Sequence, residues 1–540
     1  MEITFNEPFI KLLVKGNHQI LIISCAGGGK SILSEVIDEE NHNMGYLILN
    51  PFDPKEEFEL AFAMFPPQAY YHLKEIKKIG KEPSQKKVRI YHPFTFHLPK
   101  NQELPPMEIY TLPIPDFGRD EVSFITESES DSEVVRDLLS AINLLGSNDG
   151  LFDLIKLIEK RVKGTRRTIA GKQMVMPEFS TFFTKSGTTG TQKTVSDIAS
   201  YFSPFLYERK GGVIDGDYCI APRDFKLNLD MKKILKDQEH YHVFSTKWIK
   251  DEKVKYFVAF RLLNMIYDNL DYAKYPIVLD LPEIGSLVPY QADKVYKKFM
   301  AFSLSPKLAK IRSKGRGVTS IMGSQVWTDI NREVRSKATV TMFGKQESIE
   351  DIGRIKKDLN YGKDVVDELS NLKAGRFIVK GYERRTSPFK VLMPSHMHKE
   401  ENTNFFSVYR RHFPELMITF NNIIAEMRQA VNEQKKRIVD EVQKEIAEFR
   451  EVMAEKDKTV EEKKKKVEEL EQTKEKLLQV KLKEKDRLMN ECLKFYADNV
   501  LPNGKKFSYR EASRYLGIDH KTVKNYIIQA QEKRKEGTIA

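Results

Sequence analysis

The amino-acid sequence predicts an α/β protein built on a central, mostly parallel sheet. Short runs rich in β-branched and other apolar residues recur at residues 18–23, 45–50, 277–280 and 317–323, and stretches with helical spacing alternate with them. Runs this continuous are expected of strands that helices cover on both faces. With 540 residues the chain is also too long for one ordinary core, so we expect more than one structural unit.

A glycine-rich loop joins the first apolar run to the first helical stretch. Residues 24–31 read Ser-Cys-Ala-Gly-Gly-Gly-Lys-Ser, and the helix is expected to begin near Lys30. A nucleoside triphosphate needs backbone N–H groups that converge on its phosphates at a helix N-terminus, and three glycines leave that approach open. Lys30 supplies a charge for the β- and γ-phosphates, and Ser31 supplies a hydroxyl for Mg²⁺. The sequence therefore predicts a site for ATP and Mg²⁺ formed by Ala26, Gly27, Gly28, Gly29, Lys30, Ser31 and Ile32.

The first position of this loop holds Ser24, where the standard spacing has Gly. The three glycines nearest to the phosphates are kept, so we expect nucleotide binding to survive the change. A second stretch, residues 187–194, has similar spacing but carries Gln192 in place of the last Gly, and no apolar strand precedes it. We interpret that stretch as a polar loop that caps the helix running to Phe202.

The apolar run at residues 277–280 ends on a carboxylate, Asp280, which suits a residue that holds Mg²⁺ through water. The usual next residue is Glu, the base that orients the attacking water, but here Leu281 follows and the nearest Glu is Glu283. We expect Glu283 to reach the site through a bulged strand end; the alternative is slow hydrolysis. The alternative interpretation of residues 277–283 is an ordinary strand end followed by a turn.

A second polar side chain, Gln325, follows the run at residues 317–323. An amide at a neighbouring strand tip can sense the γ-phosphate and orient water. Several arginines flank the same run, and in a ring-shaped motor one of them would reach the phosphate of the neighbouring subunit. The resulting catalytic candidates are Lys30, Asp280, Glu283, Gln325 and Arg316.

Taken in order, these segments resemble the HerA/FtsK superfamily of hexameric DNA pumps, which includes conjugative coupling ATPases. The segments that carry the likeness are Gly27 to Ser31, Phe52-Asp53-Pro54-Lys55, the run ending at Asp280, Arg316-Gly317 leading to Gln325, and residues 372–379, similar to the family's Leu-x-Pro-Gly. The resemblance implies a RecA-like P-loop core, six subunits around DNA, and ATP hydrolysis that drives translocation. The sequence departs from the family at Ser24, at the residue after Asp280 and at Ala374, which stands in place of Pro.

The composition changes after about residue 415, so we divide the chain there. Residues 1–415 are predicted to form the P-loop core, with insertions at about 60–250. Residues 416–488 are rich in Glu and Lys, and apolar residues recur in alternating steps of four and three from Phe420 through Ile424 and Met427. This spacing predicts a long coiled-coil helix. A single solvated helix, or a helix folded back as a hairpin, is the alternative.

The last block, residues 489–540, has the pattern of a small helix-turn-helix domain. Residues 508–516 have a helix cap and apolar spacing, residues 517–519 form a turn, and residues 520–528 form a second helix. The second helix of this arrangement contacts DNA in known regulators. The candidate DNA-binding residues are Lys521, Thr522, Lys524 and Asn525. A generic helical cap on the coil is the alternative interpretation.

Charge and composition limit the partners and the compartment. The formal net charge of +12 favours a polyanionic partner such as nucleic acid or an acidic membrane surface. The three cysteines are too scattered for a disulfide framework, which indicates a reducing compartment, and we expect a cytoplasmic protein. No secretory signal is visible and no apolar run approaches the roughly 18 residues of a membrane span, so we expect no integral membrane segment.

The sequence as a whole favours an ATP-hydrolysing DNA translocase that works as a homo-hexameric ring and carries a C-terminal DNA-binding tail. One alternative is a nucleotide-switched DNA-binding or segregation protein that does not translocate. A second is a viral or plasmid genome-packaging or transfer ATPase, which shares the chemistry and differs in context.

Overall fold

The structure of the protein is a computed structural model. It describes residues 3–4, 17–53, 57–146, 149–150, 153–154, 157, 165–169, 172–176, 201–202, 205, 207–208, 214–215, 227–292, 294–314, 317–359, 363–380, 385–400, 403–456, 510, 513–514 and 519–535. By compactness, the chain divides into a unit of residues 1–435 and a unit of residues 436–540. The predicted boundaries at residues 415 and 488 stay predictions.

The strands of the described residues belong to one large sheet and two small antiparallel sheets of two strands each. They are β1 (Ile3–Thr4), β2 (Gln19–Ile23), β3 (Leu47–Asn50), β4 (Lys87–Pro93), β5 (Glu108–Tyr110), β6 (Thr165–Ile169), β7 (Lys172–Met176), β8 (Tyr207–Glu208), β9 (Ile214–Asp215), β10 (His240–Phe244), β11 (Ile277–Leu281), β12 (Val318–Ser324), β13 (Val340–Phe343), β14 (Arg376–Lys380) and β15 (Arg385–Lys390). The large sheet has the order β1-β15-β14-β13-β2-β12-β11-β3-β10-β4-β5, while β6 pairs with β7 and β8 with β9.

The α-helices connect and cover these strands. They are α1 (Lys30–Asn43), α2 (Tyr70–Lys78), α3 (Arg119–Thr126), α4 (Glu133–Ile142), α5 (Met231–Ile234), α6 (Glu252–Asn269), α7 (Ile284–Leu287), α8 (Val295–Lys314), α9 (Arg332–Lys337), α10 (Ile349–Leu359), α11 (Lys363–Asn371), α12 (Phe405–His412), α13 (Asn421–Lys456) and α14 (His520–Lys535). Short 3-10 turns lie at Glu59–Met64, Ile114–Asp116, Leu270–Tyr272 and Pro414–Leu416. None of the helices that the structure describes combines the length and apolar character that a membrane crossing needs.

The pairing in the large sheet is parallel except around β14, which runs antiparallel to both β13 and β15. The four apolar runs of the sequence form β2, β3, β11 and β12, and these strands are almost wholly buried. The glycine-rich loop follows β2, and β12 lies between β2 and β11, the strand that contains Asp280. This mostly parallel sheet confirms the predicted α/β fold with a RecA-like P-loop core.

The region between β3 and β11 contains further strands and helices. Three of its strands, β10, β4 and β5, continue the large sheet in parallel beyond β3. Its long helix α6 begins at a cap in which the Asp251 side chain accepts a hydrogen bond from the Val254 amide. Buried phenylalanines of α6, among them Phe257 and Phe260, pack against Phe124 of α3. This region therefore extends the core of the first unit.

The start of the predicted coiled coil packs on the globular core of the first unit. Phe420, Ile424 and Met427 are buried within its hydrophobic cluster. The Asn421 side chain also donates a hydrogen bond to Asn101, at 2.9 Å. An apolar stripe on a helix is buried equally well by a coil partner or by a core, so spacing could not distinguish the two. Residues 457–488 lie outside the described residues, and the coiled coil stays a prediction.

The second helix of the predicted helix-turn-helix begins at His520, as predicted, and continues to Lys535. The Asp519 carboxylate accepts hydrogen bonds from the amides of Lys521 and Thr522, at 3.0 and 3.4 Å, and so caps the helix. Val523 and Ile527 are buried, in agreement with the apolar spacing. Most of the predicted first helix, residues 508–516, lies outside the described residues.

Candidate nucleotide-binding site

The glycine-rich loop lies between the end of β2 and the start of α1. Gly27 and Gly29 have φ angles of +71° and +93°, in the left-handed region that costs other residues about 1–2 kcal/mol. Gly28 lacks room for any side chain, since a Cβ there would lie 1.9 Å from the Ser24 hydroxyl oxygen. Ala26 and Gly27 are exposed at the tip, and Ile32 is half-buried within the first turn of the helix. The loop therefore presents bare backbone, as phosphate binding requires.

Ser24 fits at the first loop position because glycines surround it. Its side chain is fully buried, and a Cβ at Gly344 would come within 2.4 Å of its hydroxyl oxygen. The Ser24 amide donates to the carbonyl of Ser324 at the end of β12, at 3.2 Å. The serine thus fills space beneath the loop, which explains how the loop keeps its path without the usual first Gly.

Three of the predicted catalytic residues meet at the carboxyl end of the sheet. The Lys30 ammonium lies 2.8 Å from Oε1 of Glu283, and the Gln325 side-chain amide donates to the same oxygen at 3.4 Å. Both ends of the Lys30–Glu283 pair are shielded, with side chains 10% and 17% exposed. Glu283 comes two residues after β11 and Gln325 directly after β12. A carboxylate held here could take a proton from a water molecule beside the loop.

The two predicted magnesium ligands line one small cavity of ≈ 20 Å³. The Ser31 hydroxyl donates to Oε2 of Glu59, at 3.0 Å. Asp280 accepts hydrogen bonds from the Ser34 hydroxyl, at 2.8 Å, and from the Asn50 side-chain amide, at 3.2 Å. A cavity of this size has room for about one water molecule or a small ion.

Burial raises the pKa of Asp280 to about 7. The hydrogen bonds from Ser34 and Asn50 oppose this rise, and the nearby charges of Glu59 and Glu35 add to it. Burial, with the charges of Asp280 and Glu35, also raises the pKa of Asp38 well above its usual range. A bound cation would offset these clustered negative charges, so the residues present fit Mg²⁺. In the described part of the chain no three acidic, His or Cys side chains converge on a metal, and Mg²⁺ ordinarily takes its remaining ligands from water and phosphate.

His398 contacts Glu35, one member of this acidic group. Nδ1 of His398 lies 2.8 Å from Oε1 of Glu35, and although burial lowers the His398 pKa, the Glu35 charge outweighs it and the pKa is raised. Two further histidines, His242 and His396, are embedded in the fold. His242 is hydrogen-bonded to the Tyr91 hydroxyl, at 3.0 Å, and His396 is fully buried.

A larger cavity of ≈ 860 Å³ is lined by Glu283 and Gln325. Its wall includes Arg335, whose guanidinium lies over the Trp327 ring and 3.3 Å from a carboxylate oxygen of Asp358. Arg316, the catalytic candidate among the arginines that flank β12, lies outside the described residues, and so does the second glycine-rich stretch at residues 187–194. The cavity leaves room for a substrate beside the two catalytic candidates.

The sequence analysis missed Ser34, Asn50 and Glu59. Ser34 lies one helical turn after Lys30, so the α-helical period places both on the loop side of α1. Asn50 ends β3, the strand next to β11, and the carboxyl ends of parallel strands meet at one edge. The places of Ser34 and Asn50 at the site could therefore have been predicted from the sequence. Glu59 follows residues 54–56, which the structure does not describe, and has no comparable signal in the sequence.

The candidate DNA-binding residues lie on the first two turns of α14. Lys521, Lys524 and Asn525 are exposed and Thr522 is half-buried, whereas Val523 between them is buried. The helix therefore presents its two lysines and the amide away from its apolar side.

Comparison with known proteins gave similarities of two kinds. The NUMOD1 domain matches residues 507–527, within the predicted helix-turn-helix. The structure is similar to the plasmid coupling protein TrwB bound to an ATP analogue, with 12% identity, a TM-score of 0.43, and coverage of 75% of this chain and 96% of that one. It is also similar to VirB4 of Thermoanaerobacter pseudethanolicus, with 15% identity, a TM-score of 0.40, and coverage of 70% and 89%. A third similar structure is the genome packaging NTPase B204 of Sulfolobus turreted icosahedral virus 2, in complex with ATP-gammaS. Its identity is 13% and its TM-score 0.23, and the match covers 36% of this chain and 76% of that one. No curated protein matched the sequence.

Proposed function

We propose that this protein binds and hydrolyses ATP with Mg²⁺ and uses the reaction to move DNA. The observation that carries the proposal is the meeting of Lys30, Glu283 and Gln325 beside a P-loop at the carboxyl edge of a parallel sheet. Ligands of open α/β sheets bind outside the carboxyl ends of the strands, which is where these residues lie. A shielded carboxylate next to the P-loop lysine suits hydrolysis better than binding alone.

The phosphates of the nucleotide would lie against the backbone of Gly27 to Gly29 at the N-terminus of α1, with Lys30 as their counter-charge. Ser31 and Asp280 would hold Mg²⁺. The ion would neutralise charge that develops on the transferred phosphoryl group. Of the residues that the sequence predicted for binding, this assignment uses Gly27 to Ser31 and Asp280, and it places a cation beside the buried Asp280 carboxylate.

Glu283 is proposed as the base that orients and deprotonates the attacking water. Its carboxylate now accepts a hydrogen bond from Lys30, and a γ-phosphate would give that lysine a more highly charged partner. Glu283 would then bind the attacking water, with the Gln325 amide beside it as the phosphate sensor. A positioned base of this kind contributes about 10²–10⁴-fold to a rate.

DNA is the proposed partner for two reasons. The net charge of +12 favours a polyanion, and α14 exposes Lys521 and Lys524 next to Asn525. The NUMOD1 match, residues 507–527, includes these three residues. Assembly as a homo-hexameric ring, with Arg316 completing the site of the neighbouring subunit, is the finer form of this proposal. A genome-packaging or DNA-transfer role would use the same chemistry.

A triplex-displacement assay separates a motor from a nucleotide switch. The wild-type protein is expected to remove a third strand from duplex DNA with ATP but not with a non-hydrolysable analogue, and to form rings on DNA in electron micrographs. A protein that leaves the triplex intact, while its DNA affinity changes with the bound nucleotide, would be a switch or segregation protein. Lys30→Ala is the matched control, because it removes one charge from the P-loop and leaves the predicted tail untouched.

A further inference from the structure

The turn that follows β3 contains a strained residue. Phe58 has φ +57° and ψ 36°, in the left-handed region that a bulky side chain rarely adopts. Two contacts hold it there: its amide donates to the Asp53 carboxylate, at 2.6 Å, and its buried ring stacks on Phe405, with centroids 5.1 Å apart. A strained backbone persists only where the surroundings fix it, and such sites are enriched near function.

Glu59 directly follows the strained residue Phe58, and its side chain contacts the P-loop. Glu59 begins the 3-10 turn Glu59–Met64, and its Oε2 accepts the hydrogen bond from the Ser31 hydroxyl, at 3.0 Å. A hydroxyl has one proton and two lone pairs, so a proton directed at Glu59 leaves the lone pairs of Ser31 for another partner. The orientation of the predicted magnesium ligand is therefore set by a residue 28 positions away in the sequence.

Two buried polar residues line the small cavity beside Ser31. They are Asn50 and Glu35, and both are more than nine-tenths buried. Among the residues that the structure describes, Asn50 Oδ1 and Glu35 Oε2 have no hydrogen-bond partner. A buried oxygen without a partner costs about 1–3 kcal/mol, so two such oxygens on residues that line one cavity indicate a site that a cation or its water completes.

We infer that Glu59 is a positioning residue for the cation of the nucleotide complex, and that the contacts of Asp53 and Phe58 hold it in place. The inference rests on the proposed nucleotide-binding function. Glu59 holds the Ser31 proton away from the cation side and adds negative charge next to Asp280. Removing a residue that hydrogen-bonds to a metal ligand and orients it changes metal affinity by about 10–100-fold.

The test is an equilibrium titration of a fluorescent ATP analogue, carried out on the full chain over a series of Mg²⁺ concentrations and again in EDTA. For Glu59→Ala we expect the Mg²⁺ concentration for half-maximal binding to rise about 10-fold, with affinity in EDTA within about 2-fold of wild type. Glu59→Gln keeps an acceptor for the Ser31 hydroxyl but loses the charge, so its shift should be smaller. Glu57→Gln is the matched control and should behave as wild type. It removes a carboxylate two residues before Glu59 that forms an ion pair with Lys399.

Two results would overturn the inference while leaving the proposed function intact. One is an unchanged Mg²⁺ dependence in both Glu59 variants of a protein that binds the nucleotide. The other is an equal loss of affinity with Mg²⁺ and in EDTA, because that pattern indicates a purely structural role. A wild-type protein that binds no nucleotide under either condition would overturn the proposed function, and the inference with it.

Discussion

The ammonium of Lys30 and the carboxylate of Glu283 form a shielded ion pair, with 2.8 Å between Nζ and Oε1, although 253 positions separate the two residues. Lys30 begins the helix after β2, and Glu283 follows β11. Because the sheet places β12 between those strands, the two side chains reach across its end. The pair links the predicted binding residue to the predicted base.

We expect Glu283→Gln to lower ATP turnover by about 100-fold or more, since the variant loses the base and keeps the side-chain shape. Nucleotide affinity should stay the same or rise, because Lys30 no longer has a competing carboxylate. Phosphate release and equilibrium binding of a fluorescent ATP analogue measure the two effects separately. Glu347→Gln, which removes an exposed carboxylate paired with Lys345, is the control. Turnover within about 3-fold of wild type would exclude Glu283 as the base.

The core of the fold could be predicted because its strands are nearly continuous in apolar residues. The runs that became β2, β3, β11 and β12 are buried on both faces, and that burial is visible in the sequence. The order of these strands was not predictable in the same way, since nothing local to β12 indicates that it lies between β2 and β11. Parallel pairing joins distant segments, so local patterns do not encode it.

The contacts of the nucleotide site also divide into those that local sequence patterns predict and those that they do not. Lys30, Ser31 and Asp280 belong to short motifs whose chemistry depends on adjacent residues. The bond from Ser31 to Glu59, in contrast, depends on a strained turn at Phe58. Sequence patterns predict favourable backbone geometry and are poor guides to strained geometry, which tertiary contacts hold in place.

A double-mutant cycle tests the account of the altered P-loop. Gly28→Ala places a methyl group 1.9 Å from the Ser24 hydroxyl oxygen, so we expect this variant to lose nucleotide affinity and some stability. Ser24→Gly restores the usual first residue and removes the clash, so the double variant should recover much of the loss. A coupling of about 1–3 kcal/mol in the free energy of unfolding is expected. Additive effects of the two substitutions would contradict the packing described for Ser24.

The buried Asp280 predicts a dependence of stability on pH. Its pKa is about 7 in the folded protein and near 3.8 as the unperturbed value, so the folded state binds the proton more tightly. That contribution to stability is complete below the unfolded pKa and is lost as the pH rises toward 7. Between pH 5 and pH 8 the loss is about 2–3 kcal/mol in the absence of Mg²⁺. We therefore expect Asp280→Asn to raise the thermal midpoint at pH 8 more than at pH 5, and parallel pH profiles would contradict this.

The tail makes a separate prediction about salt. If Lys521 and Lys524 contact DNA phosphates, replacing each by Ala should weaken DNA binding and reduce the slope of log affinity against log salt by about 0.9. Fluorescence anisotropy at several salt concentrations measures that slope. Hydrolysis of ATP without DNA should not change, because both residues lie in the second unit. An unchanged slope in the double variant would remove these lysines from the interface.

The most direct test of the central claim is the rate of phosphate release by the wild-type protein and by Lys30→Ala, each with and without DNA. If the P-loop powers movement on DNA, the wild type should hydrolyse ATP faster when DNA is added. Lys30→Ala should lose at least about 100-fold in rate under both conditions, since it lacks the charge that binds the β- and γ-phosphates. A Lys30→Ala protein that keeps DNA-stimulated hydrolysis near the wild-type rate would contradict the account.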